Sequence, residues 1–243
     1  MTANVLGLYR ILEELTKAKS SRDGLRKLLY FSSSEIYGDP PPESIPTPED
    51  YRGNVSCTGP RACYDESKRF CETLCVNFVR VHGLPIVTVR PFNNYGPGMK
   101  ITDGRVIADF ARNILSGEDI VMHSTGAPSR TFCYVADAMI GYIKALVKGA
   151  SGEAYNIGIE LPEVSVSDLA SRMVAIAKKH FVYEGSVRRA VSQDKEYLTD
   201  NPQRRRPSIQ KAKEILGYNP TVILDDGLFR TLQWYKAVGG SKS

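Results

Sequence analysis

The chain has 243 residues, 42% hydrophobic and 24% charged, enough to bury an ordinary core as one domain or one and a half. Five cysteines, an odd number without a Cys-x-x-Cys pair, argue against a disulfide framework or a zinc site and for a reducing cytosol, and the lack of a long apolar run excludes a transmembrane helix. The net charge of +5 is dispersed except at Arg188-Arg189 and Arg204-Arg205-Arg206, with no basic stripe carrying interleaved aromatics, which argues against a nucleic-acid partner.

Met1-Thr2-Ala3-Asn4-Val5-Leu6 leads directly into an amphipathic helix, without the basic start, apolar stretch and cleavage site of a secretory leader, so a cytoplasmic location is expected. Val5, Leu8, Leu12 and Leu15, at spacings of three and four, give that helix its apolar stripe, and it is expected to end near the polar stretch from Lys17 to Gly24. An apolar strand follows over Leu28 to Phe31, closed by Ser32-Ser33-Ser34-Glu35-Ile36-Tyr37-Gly38. Prolines at 40, 41, 42, 46 and 48 hold extended backbone and mark a surface loop near the substrate. A helix is predicted from Tyr64 to about Val81, stopping at Gly83, then a strand from Ile86 to Val89 ending at Pro91. Helices over Val106 to Leu115 and Ala136 to Val147 and a strand over Ala154 to Ile157 continue the alternation, the last two rejoining the sheet. Ser165 and Asp168 read as a capping box for the next helix, a structural device. Cys71 and Cys75, one helical turn apart, read as core packing, and His82, His123 and His180 show no metal spacing. Alternating helices and strands predict an α/β fold with a mostly parallel sheet.

Two segments carry chemistry. Tyr64 and Lys68 lie four apart and so stand one above the other on a helix face. A phenol titrates near ~10, and an adjacent cation favours its ionised form, so the pair supplies a base able to take a proton from a sugar hydroxyl. The serines at the strand end add short hydroxyl donors for the same alcohol oxygen, and Glu35 adds a carboxylate at the rim. Both segments lie at carboxyl ends of strands, where open α/β sheets bind ligands.

With Ser32-Ser33-Ser34-Glu35 and Tyr64-Asp65-Glu66-Ser67-Lys68 in place, the chain resembles an extended short-chain dehydrogenase/reductase of the nucleotide-sugar branch. Arg90-Pro91-Phe92-Asn93-Asn94-Tyr95-Gly96-Pro97, Ser129-Arg130-Thr131-Phe132-Cys133-Tyr134-Val135-Ala136-Asp137 and Lys211 to Pro220 resemble further segments of that family. Within the branch it most resembles UDP-glucuronate decarboxylases, through Gly59-Pro60-Arg61-Ala62-Cys63-Tyr64, Asp103-Gly104-Arg105-Val106 and Pro202-Gln203-Arg204-Arg205-Arg206-Pro207. The resemblance implies NAD as cofactor, a UDP-sugar substrate, and oxidation at C4 followed by loss of the C5 carboxylate and re-reduction. It implies a catalytic set of Ser33, Glu35, Tyr64, Lys68 and Arg130. By the same likeness Ser32, Tyr64, Lys68 and Pro91 meet the cofactor, and Asn93, Arg105, Val106, Arg130 and Arg205 meet the substrate, with no metal. A homodimer is usual in the family. A 4-epimerase and a 4,6-dehydratase are the neighbouring reactions. The dehydratases usually carry an Asp-Glu pair where this chain has Ser34-Glu35.

No Gly-x-x-Gly-x-x-Gly turn precedes Ser32, so the implied fold is a Rossmann-like, N-terminally truncated sheet with a smaller α/β substrate-binding lobe. Residues 1–100 are expected to hold the nucleotide-binding part with its catalytic segments. Residues 101–238 are expected to hold mainly the substrate lobe, interleaved with returns to the first lobe near 131–158, with 239–243 a flexible tail. An inactive fragment that binds a sugar nucleotide or a partner without turnover is the competing expectation. The truncated sheet is expected to expose an apolar edge and helix faces prone to association.

Overall fold

The computed structural model describes residues 2–18, 25–190 and 202–239. In chain order the elements are α1 (Thr2–Ala18), β1 (Leu28–Phe31), α2 (Ala62–His82), β2 (Ile86–Pro91), β3 (Asn94–Tyr95), α3 (Val106–Leu115), β4 (Ile120–Met122), β5 (Ser129–Arg130), β6 (Cys133–Tyr134), α4 (Val135–Lys148), β7 (Ala154–Ile157), β8 (Val164–Ser165), α5 (Val166–His180), β9 (Val187–Arg189), β10 (Arg204–Arg205) and α6 (Leu224–Gly239). Gly239 closes α6, and the rest of the expected tail lies outside the described residues, as does the polar stretch beyond Ala18 through Gly24.

The α/β character follows from a parallel sheet in the order β1-β2-β7, with Leu28 opposite Ile86 and Thr88 opposite Ala154. Side chains along a strand alternate between faces. Leu28, Tyr30 and Ile86 therefore meet Leu12 of α1 and Cys75 and Phe78 of α2, while Leu29, Val87 and Val89 meet Ala138, Tyr142 and Ala145 of α4. Helices cover both faces, and the first four residues of β2 are all buried, which is why Ile86 to Val89 carries no alternating polar face. Cys71 and Cys75 are both buried.

α2 starts at Ala62, two residues before the expected Tyr64, and ends at Gly83 in the left-handed conformation (φ 61°), whose N–H closes on the Phe78 and Val79 carbonyls. A second core, the largest cluster, joins α3, α5 and α6 around Phe110, Met173 and Leu232, with Tyr95 of β3 and Phe132, between β5 and β6, reaching into it. Small ladders knit this region: β3 with β6, β4 with β9, and β10-β5-β8, in which β5 runs parallel to β10 and antiparallel to β8. Buried Asp137 on α4 accepts from the Thr221 and Val222 amides at 3.0 and 2.8 Å and so fixes the approach to α6.

The proline-rich loop is less superficial than its composition suggests. Asn156 of β7 is fully buried, and its amide and side chain need partners there. Glu49 accepts from the Asn156 N–H at 2.8 Å, and the Thr47 and Ser208 carbonyls accept from Nδ2 at 3.0 Å each. The end of the loop is thereby built into the interior.

Candidate active site

Tyr64 stands on the first turn of α2 with its side chain half exposed (45%), one turn before Lys68. Lys68 is anchored: its Nζ donates to the Phe31 carbonyl at 2.8 Å and lies 5.4 Å from the centre of the Tyr30 ring and 6.0 Å from that of Tyr64. The ammonium thus ties α2 to the carboxyl end of β1. Burial lowers its pKa from the ordinary lysine value.

Beyond β1 the chain turns into one 3₁₀ turn, Ser34–Tyr37. Ser33 caps it, its hydroxyl accepting from the Glu35 N–H at 3.2 Å, and the turn closes where the Gly38 N–H donates to the Glu35 carbonyl at 3.0 Å. Gly38 has φ +62°, and a Cβ there would lie 1.8 Å from the Asn54 carbonyl oxygen, so only glycine lets the two backbones meet. Ser32 is buried, and its Oγ has no hydrogen-bond partner among the described residues.

The turn aims Glu35 into a cluster of arginines. Arg205 of β10 grips both carboxylate oxygens, with Nη2 2.6 Å from Oε2, and Arg61 donates to the same Oε2 at 2.6 Å. Burial opposes ionisation of Glu35, yet the Arg205 and Arg61 guanidiniums outweigh it and hold the carboxyl below its usual range. Arg130 is the third guanidinium. Burial, then the like charge of Arg205, pulls it down to about 10, and its Nη2 donates to the Pro202 carbonyl at 3.2 Å. Three guanidiniums gather around the one carboxylate of Glu35, a donor set suited to an anionic ligand.

The other expected residues are placed less uniformly. Pro91 ends β2 opposite Ile157, and Asn93, at φ 41°, donates from Nδ2 to the Thr131 carbonyl at 3.0 Å. Arg105 is largely exposed and pairs with Asp103 at 2.7 Å, outside the Glu35 cluster. Val106 opens α3 and packs against the large core, so its side chain is committed to structure. Sequence reasoning missed Arg61 as a partner of Glu35. Its one local signal is Gly59-Pro60 just before a helix start, which marks a cap and says nothing of a carboxylate 26 positions earlier. It also missed Arg90, which donates to the Tyr37 hydroxyl at 2.6 Å and holds Glu72 at 3.0 and 2.7 Å beneath the turn. Among the described residues no group of side chains could hold a metal ion, and no helix is long and apolar enough to cross a membrane.

Parallel strands that deliver a Tyr-x-x-x-Lys pair to their carboxyl ends are the mark of the short-chain dehydrogenase/reductase class, and fold and site place this chain in it. Residues 1–158 match the family model "NAD dependent epimerase/dehydratase family", and the chain belongs to that family. It is 37% identical over 235 residues to UDP-glucuronic acid decarboxylase 1 of Xenopus tropicalis, covering 97% of this chain and 50% of that protein. It is 40% identical over 232 residues to UDP-glucuronic acid decarboxylase 3 of Arabidopsis thaliana, covering 93% of this chain and 60% of that protein. The chain therefore spans about half to three fifths of the length of these relatives. A solved UDP-glucuronic acid 4-epimerase from Bacillus cereus, in complex with UDP-glucuronic acid and NAD, superposes with a TM-score of 0.76 at 25% identity, covering 98% of this chain and 68% of that one.

Proposed function

We propose that this chain carries the catalytic and substrate-binding part of an NAD-dependent enzyme that decarboxylates UDP-glucuronate to UDP-xylose through a 4-keto sugar. The observation that carries this reading is the meeting, at one end of the parallel sheet, of the Tyr64–Lys68 pair with the guanidiniums of Arg61, Arg130 and Arg205 gathered around Glu35. Identity to decarboxylases over nearly the whole chain supports the choice of reaction. In this reading residues 1–100 hold the catalytic segments and 101–238 mainly the substrate lobe.

The site offers a fit for the nicotinamide end of NAD. Tyr64 is half exposed, Lys68 is held at the end of β1, and the buried Ser32 hydroxyl lacks a partner that a polar ligand group would supply. Those three residues and Pro91 would hold it. When bound, the cofactor accepts a hydride from C4 of the sugar and later returns it. Tyr64, supported by the Lys68 charge, takes the proton of the 4-hydroxyl, and the Ser33 hydroxyl binds the same oxygen. The resulting ketone lies β to the C5 carboxylate and accepts the electrons released as carbon dioxide leaves. Arg130 turns its guanidinium toward the anionic substrate, and Arg205, whose fork closes on Glu35, adds its charge beside it. Asn93, Arg105 and the backbone at Val106 complete the substrate contacts. A homodimer belongs to the proposal, supported by exposed apolar side chains on α1 (Leu6, Ile11) and α2 (Phe70, Val81).

The test is to incubate the chain with UDP-glucuronate and NAD and follow UDP-xylose by proton NMR. Tyr64→Phe is expected to reduce the rate by about a hundredfold or more, the scale of a lost general base. Undiminished turnover by that variant removes Tyr64 from the mechanism.

A further inference from the structure

Arg61 belongs to two parts of the site at once. Its backbone carbonyl accepts from the Tyr64 and Asp65 amides at 2.9 and 3.1 Å, so Arg61 shapes the first turn of the helix that carries Tyr64. Its side chain reaches across to Glu35 at 2.6 Å and lies 3.8 Å from Asp65, a carboxylate buried on the same turn. Glu35 in turn is gripped by both Nη groups of Arg205. One chain of charge-assisted bonds thus links the Tyr64 turn of α2, the turn after β1 and the strand β10. The charged groups facing Glu35 are Arg61 and Arg205 in contact and Arg130, whose own titration feels the charges of Glu35 and Asp39.

From this geometry we infer that Arg61 is a positioning residue, which, through Glu35, fixes Tyr64 relative to the arginines that receive the anionic substrate. The inference rests on the sugar-nucleotide reading above and deepens it. A surface ion pair would be worth little and would move without consequence. This one is different because Glu35 is mostly buried and its oxygens are shared between two guanidiniums from separate parts of the chain, so the carboxylate cannot shift toward one without leaving the other. Removing Arg61 frees one corner of that linkage, and the corner it frees is the turn that bears the phenol.

The decisive experiment is an NMR titration of the whole chain, labelled at the glutamate carboxyl carbons and tyrosine rings. In the unaltered protein the Tyr64 ring signal is expected to follow the Glu35 titration, with one midpoint below the ordinary carboxylate range. Arg61→Gln should raise the Glu35 midpoint and stop Tyr64 from following it, and Arg61→Lys, which restores the charge, should return both in part. An Arg61 that only supported the fold would lower the melting temperature and leave Tyr64 following Glu35. Unchanged coupling in Arg61→Gln overturns the inference. Should that variant unfold, Glu35→Gln tests the same link from its other end, and an acid-range change in the Tyr64 ring signal that survives Glu35→Gln overturns it equally. The titration needs no nucleotide, so its result stands apart from the sugar-nucleotide reading, which falls instead if calorimetry shows no binding of UDP-glucuronate to the unaltered chain. In turnover, Arg61→Gln is expected to lower kcat about tenfold or more with little change in KM, as a misplaced base does.

Discussion

Arg204 closes on Glu163 through two hydrogen bonds, Nε to Oε1 at 2.8 Å and Nη2 to Oε2 at 2.7 Å, and Ser129 donates to the same carboxylate. Arg204 foremost, with Ser129 and Arg206 adding to it, holds the Glu163 carboxyl at about 2. A carboxyl depressed on folding stabilises the protein above its unfolded pKa of about 4.3 and loses that contribution as pH falls toward the folded value. Glu163→Gln is therefore expected to be less stable than the unaltered chain at pH 7 and to converge with it as pH falls from about 4 toward 2, read from urea midpoints across that range. Parallel acid limbs for the two proteins would remove Glu163 from the account. The same forked pairing explains which site residues were legible. Tyr64 and Lys68 declare themselves because their spacing is local and helical. Glu35 declares a carboxylate but not its partners, since Arg61 and Arg205 come from 26 and 170 positions away and no periodicity encodes such a meeting.

At the scale of elements the legible features were those whose cause is local. Gly83 ends α2 because it alone takes the left-handed conformation cheaply, and β2 reads as a strand because four β-branched residues, Ile86 to Val89, run together between Pro85 and Arg90. The dipeptide strands β3, β5, β6, β8 and β10 were not legible, because two residues carry no pattern and pair only when the rest of the fold brings them together. The cap of α5 shows what a local signal is worth. Ser165 has extended backbone, and its hydroxyl accepts from the Asp168 amide at 3.0 Å, satisfying one donor that the first helical turn leaves open. Ser165→Ala is expected to cost about 1 kcal/mol and Ser165→Gly a few tenths, by denaturant unfolding at neutral pH. Equal losses for the two would point to packing of the Ser165 Cβ in place of the cap.

For the whole molecule the consequence lies in how the sheet's two layers are finished. On one face α1 and α2 expose Leu6, Ile11, Phe70 and Val81. On the other, α4 exposes Met139, Ile140, Ile143 and Val147 (49, 48, 56 and 68%), positions that share one side of the helix, next to Phe31, whose ring packs 4.9 Å from that of Tyr142. Beside them β1 is the outer strand of its sheet, paired with β2 alone among the described residues. An edge strand flanked by an apolar helix face is a template for further pairing. Two sticky faces on opposite layers have different consequences under symmetry: a self-complementary contact through one closes as a dimer, whereas a second contact through the other lets dimers add on. The chain is therefore expected to sediment as species larger than a dimer. Ile143→Glu on α4 should reduce these to a dimer, since a carboxylate there costs nothing in the free chain and is buried on association. Adding Phe70→Glu on α2 should yield monomer. If Ile143→Glu leaves the sedimentation profile unchanged, the α4 face is not where copies meet, and if Phe70→Glu alone disperses every species, both contacts run through the α1 and α2 layer.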